Sequence, residues 1–274
     1  MNNHYTFFVE HVWPQVPQNL KARVYERYPN MRIGREPGCV PLPKLPVCMV
    51  IGLTGTGKTT ALKHLAEMRR EGSLHYRDDI PTRRELADFI IIPTAQVLGG
   101  EPVQPVIDRE QRFGYTYKFA HEFESGGSAA AYGWLHYHGD TDTPLLSDGL
   151  RGPREIAYAL EHYPQWSAIE LWVDPITRLQ RLTDRSDMFD YVSQRQSTID
   201  LSFLTTDQQN AAQQALAKGI VSPQAIITAR AESQNYGQEP FDRANTTARY
   251  HCVEIDDLTP QGVAQQIGLI LEAK

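Results

Sequence analysis

The chain has 274 residues, of which 41% are hydrophobic and 22% charged, and its net charge is −6. This length and composition indicate one large or two small globular domains that need no disulfide or metal to fold. The mild acidity argues against nucleic acid or an anionic membrane as a partner, because the protein carries no general cationic field. No apolar run reaches the roughly 20 residues of a membrane-spanning helix, and the amino terminus lacks a secretory signal pattern.

The three cysteines, Cys39, Cys48 and Cys252, are an odd number without paired spacing. This pattern favours neither a disulfide framework nor a zinc ribbon. The sequence therefore predicts a protein of the reducing cytoplasm.

Residues 1–46 hold seven of the 18 prolines. Proline at this density excludes a continuous helix or a central strand. We predict a proline-rich extension with one short helix around residues 19–28, packed on the rest of the chain through its aromatic side chains.

From Val47 onward the pattern alternates between strands and helices. Strands are predicted at VCMVIG, at FIII (89–92, with LHY at 74–76 as a weaker rival), and at 143–148, 168–173 and 250–255. Helices are predicted at 59–70, from Pro153, at 175–185 and from Pro260. This alternation predicts a parallel sheet covered on both faces. The domain would span 47–274, with insertions at about 93–142 and 186–249 that form lids or substrate contacts.

The strongest motif follows the first of these strands and fits G-x-x-x-x-G-K-[ST] in full. Glycines at these positions allow successive amides to face one concavity, and the next helix adds its positive dipole end. Lys58 would reach the β and γ phosphates of a nucleotide, and the Thr59 hydroxyl would bind magnesium. The nucleotide-binding residues predicted in this way are Gly52, Thr54, Gly55, Thr56, Gly57, Lys58, Thr59 and Thr60.

Two common kinds of nucleotide-binding protein lack support in this sequence. A guanine-specific switch protein would carry N-K-x-D, which is absent from the chain. Motor and transporter ATPases usually end a strand in Asp-Glu, and the chain contains no such dipeptide.

The runs SDGLRGPREIAYAL, AIELWVDPITRLQRLTDR and YHCVEIDDLTPQGVAQQIGLIL carry a family resemblance. Together with the phosphate loop, they make the region from Val47 to the end similar to the P-loop nucleoside and nucleotide kinases. The form Asp-Gly-hydrophobic-Arg is closest to dephospho-coenzyme A kinases and archaeal adenylate-kinase-like proteins. The resemblance implies a three-layer α/β sandwich with a five-stranded parallel sheet, order 2-3-1-4-5, and helices on both faces.

The same resemblance implies roles for further residues. Asp148 would hold the water shell of magnesium, and Arg151 would contact the phosphate acceptor. The stretch HYRDDIPTRRELADF lies where the family builds its acceptor site, which adds Arg77, Arg83 and Arg84. Thr82-Arg83-Arg84 and the later RFGYTYKF are partly similar to guanylate kinases, without identifying the acceptor.

Three arginines of the 175–185 helix, Arg178, Arg181 and Arg185, are spaced three and four apart and so share one face. Arginines delivered by a closing lid would stabilise the charge that develops during phosphoryl transfer. A solvated basic face is the alternative. Arg181 and Arg185 are the preferred catalytic residues beside Lys58, because they fill the family's R-L-x-x-R positions.

Two weaker patterns leave alternatives open. His136, His138, Asp140 and Asp142 alternate as metal ligands on a strand do, or they form an ordinary polar turn. A carboxylate of the Asp78-Asp79 pair would either orient the attacking oxygen or cap a helix before Thr82.

The sequence as a whole predicts an ATP- and Mg²⁺-dependent phosphotransferase. Its acceptor would be a nucleoside monophosphate or a similar small phosphorylated molecule. The alternative is an NTP-binding regulatory ATPase or switch module without a small-molecule acceptor, and a degenerate kinase without activity also remains open.

Overall fold

A computed structural model of the chain describes residues 3–34, 36–123, 125–184, 199–242 and 247–273. The strands are β1 (Met31–Ile33), β2 (Val40–Pro41), β3 (Val47–Ile51), β4 (Leu135–Tyr137), β5 (Leu145–Ser147), β6 (Trp166–Trp172) and β7 (Tyr250–Glu254). The α-helices are α1 (Asn3–Phe7), α2 (Gln18–Arg27), α3 (Lys58–Arg70), α4 (Arg83–Leu86), α5 (Ile92–Leu98), α6 (Arg109–Lys118), α7 (Ser128–Tyr132), α8 (Gly152–His162), α9 (Pro175–Thr183), α10 (Thr206–Ala217), α11 (Pro223–Tyr236) and α12 (Pro260–Glu272). Short π-helical segments lie at Phe8–Val12, Ala87–Ile91 and Phe119–Phe123, and 3-10 turns at Trp13–Gln15 and Leu42–Lys44.

The larger sheet has four parallel strands in the order β5-β3-β6-β7. Every residue of β3 is buried, as expected of an apolar strand covered on both faces. In the register of β3 and β5, Val47 lies opposite Leu145 and Met49 opposite Ser147. The strands predicted at 143–148, 168–173 and 250–255 are present as β5, β6 and β7.

The smaller sheet is antiparallel and has the order β1-β4-β2. Its central strand β4 pairs Tyr137 with both Met31 and Val40. The two outer strands come from the proline-rich residues 1–46, and Pro41 is tolerated there because an edge strand can lack an N–H group. This sheet was not predicted from the sequence.

The predicted five-stranded parallel sandwich of the P-loop type is wrong, because the parallel sheet has four strands and a second, antiparallel sheet is present. The FIII run does not form the expected strand. It lies in the π-helical segment Ala87–Ile91 and the start of α5. A capping box between Thr82 and Glu85 starts the helical path at Arg83, and an apolar run this short suits a buried helix as well as a strand. The rival at 74–76 is not a strand either; Arg77 forms an isolated parallel bridge with Leu145.

The chain divides into two compact units, and each is described by itself. The first comprises Met1–Val50, His75–Leu150 and Arg154–Ala168. In it the helix expected around residues 19–28 is present as α2, and the ring of Phe8, fully buried, lies 5.2 Å from that of Trp134. The predicted boundary at residue 46 between extension and core stays a prediction.

The second unit comprises Ile51–Leu74, Arg151–Pro153 and Ile169–Lys274. In it α3 packs on α12 so closely that a Cβ atom at Gly268 would lie 3.3 Å from Cε of Met68. A cluster of buried side chains joins α9, α10 and α11, and its members are Leu179, Leu182, Leu201, Leu204, Ala212, Ala215, Val221, Ala225, Ile226 and Ala229. Within the described residues, every helix is too short or too polar to span a bilayer.

Candidate functional site

The glycine-rich loop lies between β3 and α3 in the second unit, where the motif predicts it. Gly55 and Gly57 have φ angles of +93° and +72°, in the left-handed region that favours glycine. Gly57 is the N-cap residue of α3, and its carbonyl accepts hydrogen bonds from the amides of Thr60 and Ala61, each at 3.0 Å. These two glycines therefore set the path of the loop into the helix.

A side chain of the loop contacts the loop's own backbone. The Thr56 hydroxyl donates to the carbonyl of Leu53 at 2.9 Å. A Cβ atom at Gly52 would lie only 2.5 Å from that hydroxyl oxygen. Thr56, predicted to bind nucleotide, thus holds the shape of the loop through its side chain.

Lys58, Thr59 and Thr60 form the first turn of α3. Lys58 is 8% exposed, and the two threonines are exposed. The first amides of a helix have no partner within it, and together with the dipole they attract anions. The Thr59 hydroxyl offers an oxygen ligand of the kind that Mg²⁺ prefers. Mg²⁺ takes few protein ligands beside substrate phosphate and water.

Glu232, on α11, lies against the loop from outside the motif. Its Oε2 accepts the backbone N–H of Thr54 at 3.1 Å, and its Oε1 accepts the Thr54 hydroxyl. The side chain is 13% exposed. No motif in the 186–249 insertion predicts this contact, which arises from the tertiary fold alone.

Arg178, on α9, connects Glu232 with the loop backbone. Its Nε donates to the carbonyl of Thr54 at 2.8 Å, and its Nη2 forms an ion pair with Glu232. The side chain is 3% exposed, and within the described part of the chain its buried Nη1 has no hydrogen-bond partner. Burial lowers the pKa of Arg178 and the nearby Glu232 opposes that shift, while guanidinium remains charged at any physiological pH. A second guanidinium, that of Arg151, places Nη1 3.5 Å from Oε1 of Glu232.

The other two arginines of the predicted lid helix differ from Arg178. Nη2 of Arg181 lies 3.5 Å from the carbonyl oxygen of Ile255. Arg185 lies outside the described residues. The catalytic role preferred for Arg181 and Arg185 thus stays a prediction. Arg178, which was not preferred, is the arginine of this helix that contacts the glycine-rich loop. The sequence contains a signal for this contact. The buried positions of α9 are Pro175, Arg178, Leu179 and Leu182, and an arginine within such an apolar stripe needs a partner.

Predicted acceptor residues of the first unit have partners there. Arg83 donates from Nη1 to Oε2 of Glu155 at 2.5 Å and to the carbonyl of Gly149 at 3.2 Å. Arg77 donates from Nη2 to the carbonyl of Thr143 at 2.7 Å. Arg84 is exposed. Their acceptor-binding roles stay predictions.

Asp148 follows β5 and belongs to the first unit, so its magnesium role also stays a prediction. The glycine after it has a steric reason. A Cβ atom at Gly149 would lie 1.9 Å from the hydroxyl oxygen of Tyr132, which is fully buried.

The two weaker patterns are explained by local contacts. Oδ2 of Asp79 accepts the Tyr137 hydroxyl at 2.6 Å, and the helix cap at this point is Thr82. Asp140 accepts the amide of Asp142 at 2.9 Å, and hydrogen bonding, foremost from Thr143, lowers its pKa to about 2. Within the described ranges, no group of three or more His, Cys, Asp or Glu side chains is placed to hold a metal ion.

Comparison with known proteins adds little to this geometry. No protein-family model matches the chain, and no curated protein matches it. Among solved structures, an unliganded sugar kinase from Janibacter sp. HTCC2649 matches with 13% identity and a TM-score of 0.37, over 83% of this chain and 95% of that one.

Proposed function

We propose that the protein is a P-loop phosphotransferase that binds ATP with Mg²⁺ and moves the γ-phosphate to a small phosphorylated acceptor. The observation that carries the proposal is the loop itself. Two left-handed glycines lead into a 13-residue helix that begins with the largely buried Lys58. A glycine-rich loop of this kind is a phosphate-binding structure because amides, helix dipole and lysine converge on one anion.

Within this proposal, Lys58 neutralises the β and γ phosphates and the first amides of α3 hold them. Bound Mg²⁺ would supply charge neutralisation, and Thr59 and Asp148 are the residues proposed to hold it. Arg178 adds a guanidinium whose Nη1 has no hydrogen-bond partner among the described residues. Catalysis then consists of positioning and charge stabilisation, without a covalent intermediate.

The acceptor is proposed to be a nucleoside monophosphate or a similar phosphorylated metabolite. Arg77, Arg83, Arg84 and Arg151 are the proposed contacts to its phosphate, because guanidinium matches phosphate geometry. Arg181 and Arg185 are the proposed lid residues.

Lys58→Ala tests the nucleotide site, and Lys63→Ala on an exposed turn of the same helix is the matched control. Calorimetric titration with Mg-ATP should show affinity reduced about 100-fold or more in Lys58→Ala, because a charge-assisted contact to phosphate is lost. Lys63→Ala should bind like the wild type. Equal binding by both variants would contradict the nucleotide site.

A second measurement tests transfer. Purified protein with γ-labelled ATP and Mg²⁺ is screened against nucleoside monophosphates and other phosphorylated metabolites, with and without a chelator. A labelled product that disappears in Lys58→Ala and with the chelator supports the proposal. Hydrolysis that no acceptor changes would instead favour a regulatory ATPase.

A further inference from the structure

The carboxylate of Glu232 is bound by a donor set that resembles a phosphate site. The set comprises the amide and hydroxyl of Thr54 together with the guanidinium groups of Arg178 and Arg151. Backbone amides, hydroxyls and arginines are the groups with which proteins bind phosphate oxygens. Glu232 therefore occupies, with one negative charge, donors that would suit an anion of higher charge.

One donor beside Glu232 is left without an acceptor. Among the described residues, Nη1 of Arg178 is buried and has no hydrogen-bond partner. A buried donor without a partner costs free energy. An oxygen atom of a bound polyphosphate would supply the missing acceptor.

The position of Glu232 on α11 limits what can move. The first half of α11 is anchored, because Ala225, Ile226 and Ala229 are buried in the cluster with α9 and α10. Glu232 lies in the last turns, and Gly237 with a φ of +74° ends the helix directly after Tyr236. Other contacts also hold this end, since Arg230 pairs with Asp200 at 2.8 Å and a Cβ atom at Gly152 would lie 3.1 Å from Cβ of Tyr236. Loss of the Glu232 contacts would therefore loosen the carboxyl end of α11 from the loop and leave its beginning packed.

We propose that the Glu232 carboxylate occupies the phosphate position of the glycine-rich loop and competes with nucleotide polyphosphate for Thr54 and Arg178. Nucleotide binding displaces the carboxylate and releases the end of α11 from the loop. This inference rests on the proposed function, since it presumes that the loop binds nucleotide. The carboxyl end of α11 would thus contact the loop in the free protein and leave it when nucleotide is bound.

The test compares Glu232→Gln with Glu71→Gln, an equal change of charge at an exposed residue directly after α3. The probes are Mg-ATP and inorganic pyrophosphate, titrated calorimetrically at one fixed salt concentration. Glu232→Gln should bind both about tenfold more tightly, because a negative charge beside the anion is removed. Glu71→Gln should bind like the wild type, and so a general charge effect is separated from a local one. Unchanged or weaker binding by Glu232→Gln overturns the proposal and leaves Glu232 as a structural counter-ion.

Hydrogen exchange on the wild type gives a second test that does not depend on the folding of a variant. Mg-ATP should speed amide exchange about tenfold at residues 230–236 and leave 223–229 unchanged. Slower or equal exchange at 230–236 overturns the proposal. If the wild type binds neither probe, the proposed function itself fails, whereas binding with an unaffected α11 refutes only the role of Glu232.

Discussion

Each unit of the molecule contains an arginine–glutamate ion pair, and the two pairs differ in burial and in the backbone group that the glutamate binds. In the second unit, the side chains of Arg178 and Glu232 are 3% and 13% exposed, and the carboxylate accepts an amide of the glycine-rich loop. In the first, those of Arg83 and Glu155 are 24% and 11% exposed. Glu155 accepts the amide of Ser128 at 2.9 Å, where α7 begins. The same chemistry thus stabilises the start of a helix in one unit and the glycine-rich loop in the other.

The largest expected effect on the free energy of unfolding comes from replacing the arginine of each pair. Arg178→Met leaves Glu232 buried and without its nearer guanidinium, which should lower the free energy of unfolding by about 3–5 kcal/mol. Arg83→Met should cost about 1–2 kcal/mol, because Arg83 is more exposed and water screens its pair. Urea denaturation of both variants at neutral pH measures the difference. Equal losses would mean that burial does not distinguish the two pairs.

Mg-ATP adds a second readout to the same variants. It should stabilise the wild type and Arg83→Met against urea to a similar extent, since ligand binding to the native state raises stability. Arg178→Met should gain less. A full gain in Arg178→Met would exclude Arg178 from the nucleotide site.

A smaller effect is expected from Glu155→Gln. The amide oxygen of glutamine still accepts the N–H of Ser128, but the charge that faces Arg83 is lost, so we expect a cost of about 1–2 kcal/mol. Unlike Glu232→Gln, this variant should bind inorganic pyrophosphate as the wild type does. Tighter binding by Glu155→Gln would show that the effect on pyrophosphate affinity is not specific to Glu232.

The local elements near the phosphate loop were predictable, because their signals are short in range. The all-buried β3, the glycines and Lys58 predict strand, loop and helix from adjacent residues. The prediction of a strand at the FIII run is wrong for a physical reason. Phe89, Ile90, Ile91 and Ile92 are all buried in the helical path. A run of four apolar residues has no period that separates a buried helix from a buried strand.

The contacts that complete the candidate site were not predictable in the same way. Glu232 lies 178 residues from Thr54, to which it is hydrogen bonded. Nothing in its neighbourhood on α11 resembles a motif. Arg178 was visible as one of three arginines, but only its buried position on α9 separates it from Arg181. Arg178 follows Pro175 by three residues and precedes Leu182 by four, and this spacing, which places it in the apolar stripe of α9, is the signal that the sequence contains.

The smallest expected effect on stability concerns Glu170. This buried carboxyl group accepts the Tyr250 hydroxyl at 2.7 Å and the amide of Phe241 at 2.8 Å. Burial raises the pKa of Glu170 above its ordinary value, although both hydrogen bonds oppose the shift. The folded protein thus holds this proton more tightly than the unfolded chain does. The stabilising contribution is fully present at low pH and is lost as the pH rises through the folded pKa.

Glu170→Gln keeps an acceptor for both donors and has no proton to lose. Its stability relative to the wild type should therefore increase from about pH 4 to about pH 7, by about 1 kcal/mol or less. Urea denaturation across this range, with the exposed Glu272→Gln as control, measures the trend. A relative stability that falls with pH would show that the hydrogen bonds of Tyr250 and Phe241 outweigh burial, and that Glu170 behaves like the ion-paired glutamates after all.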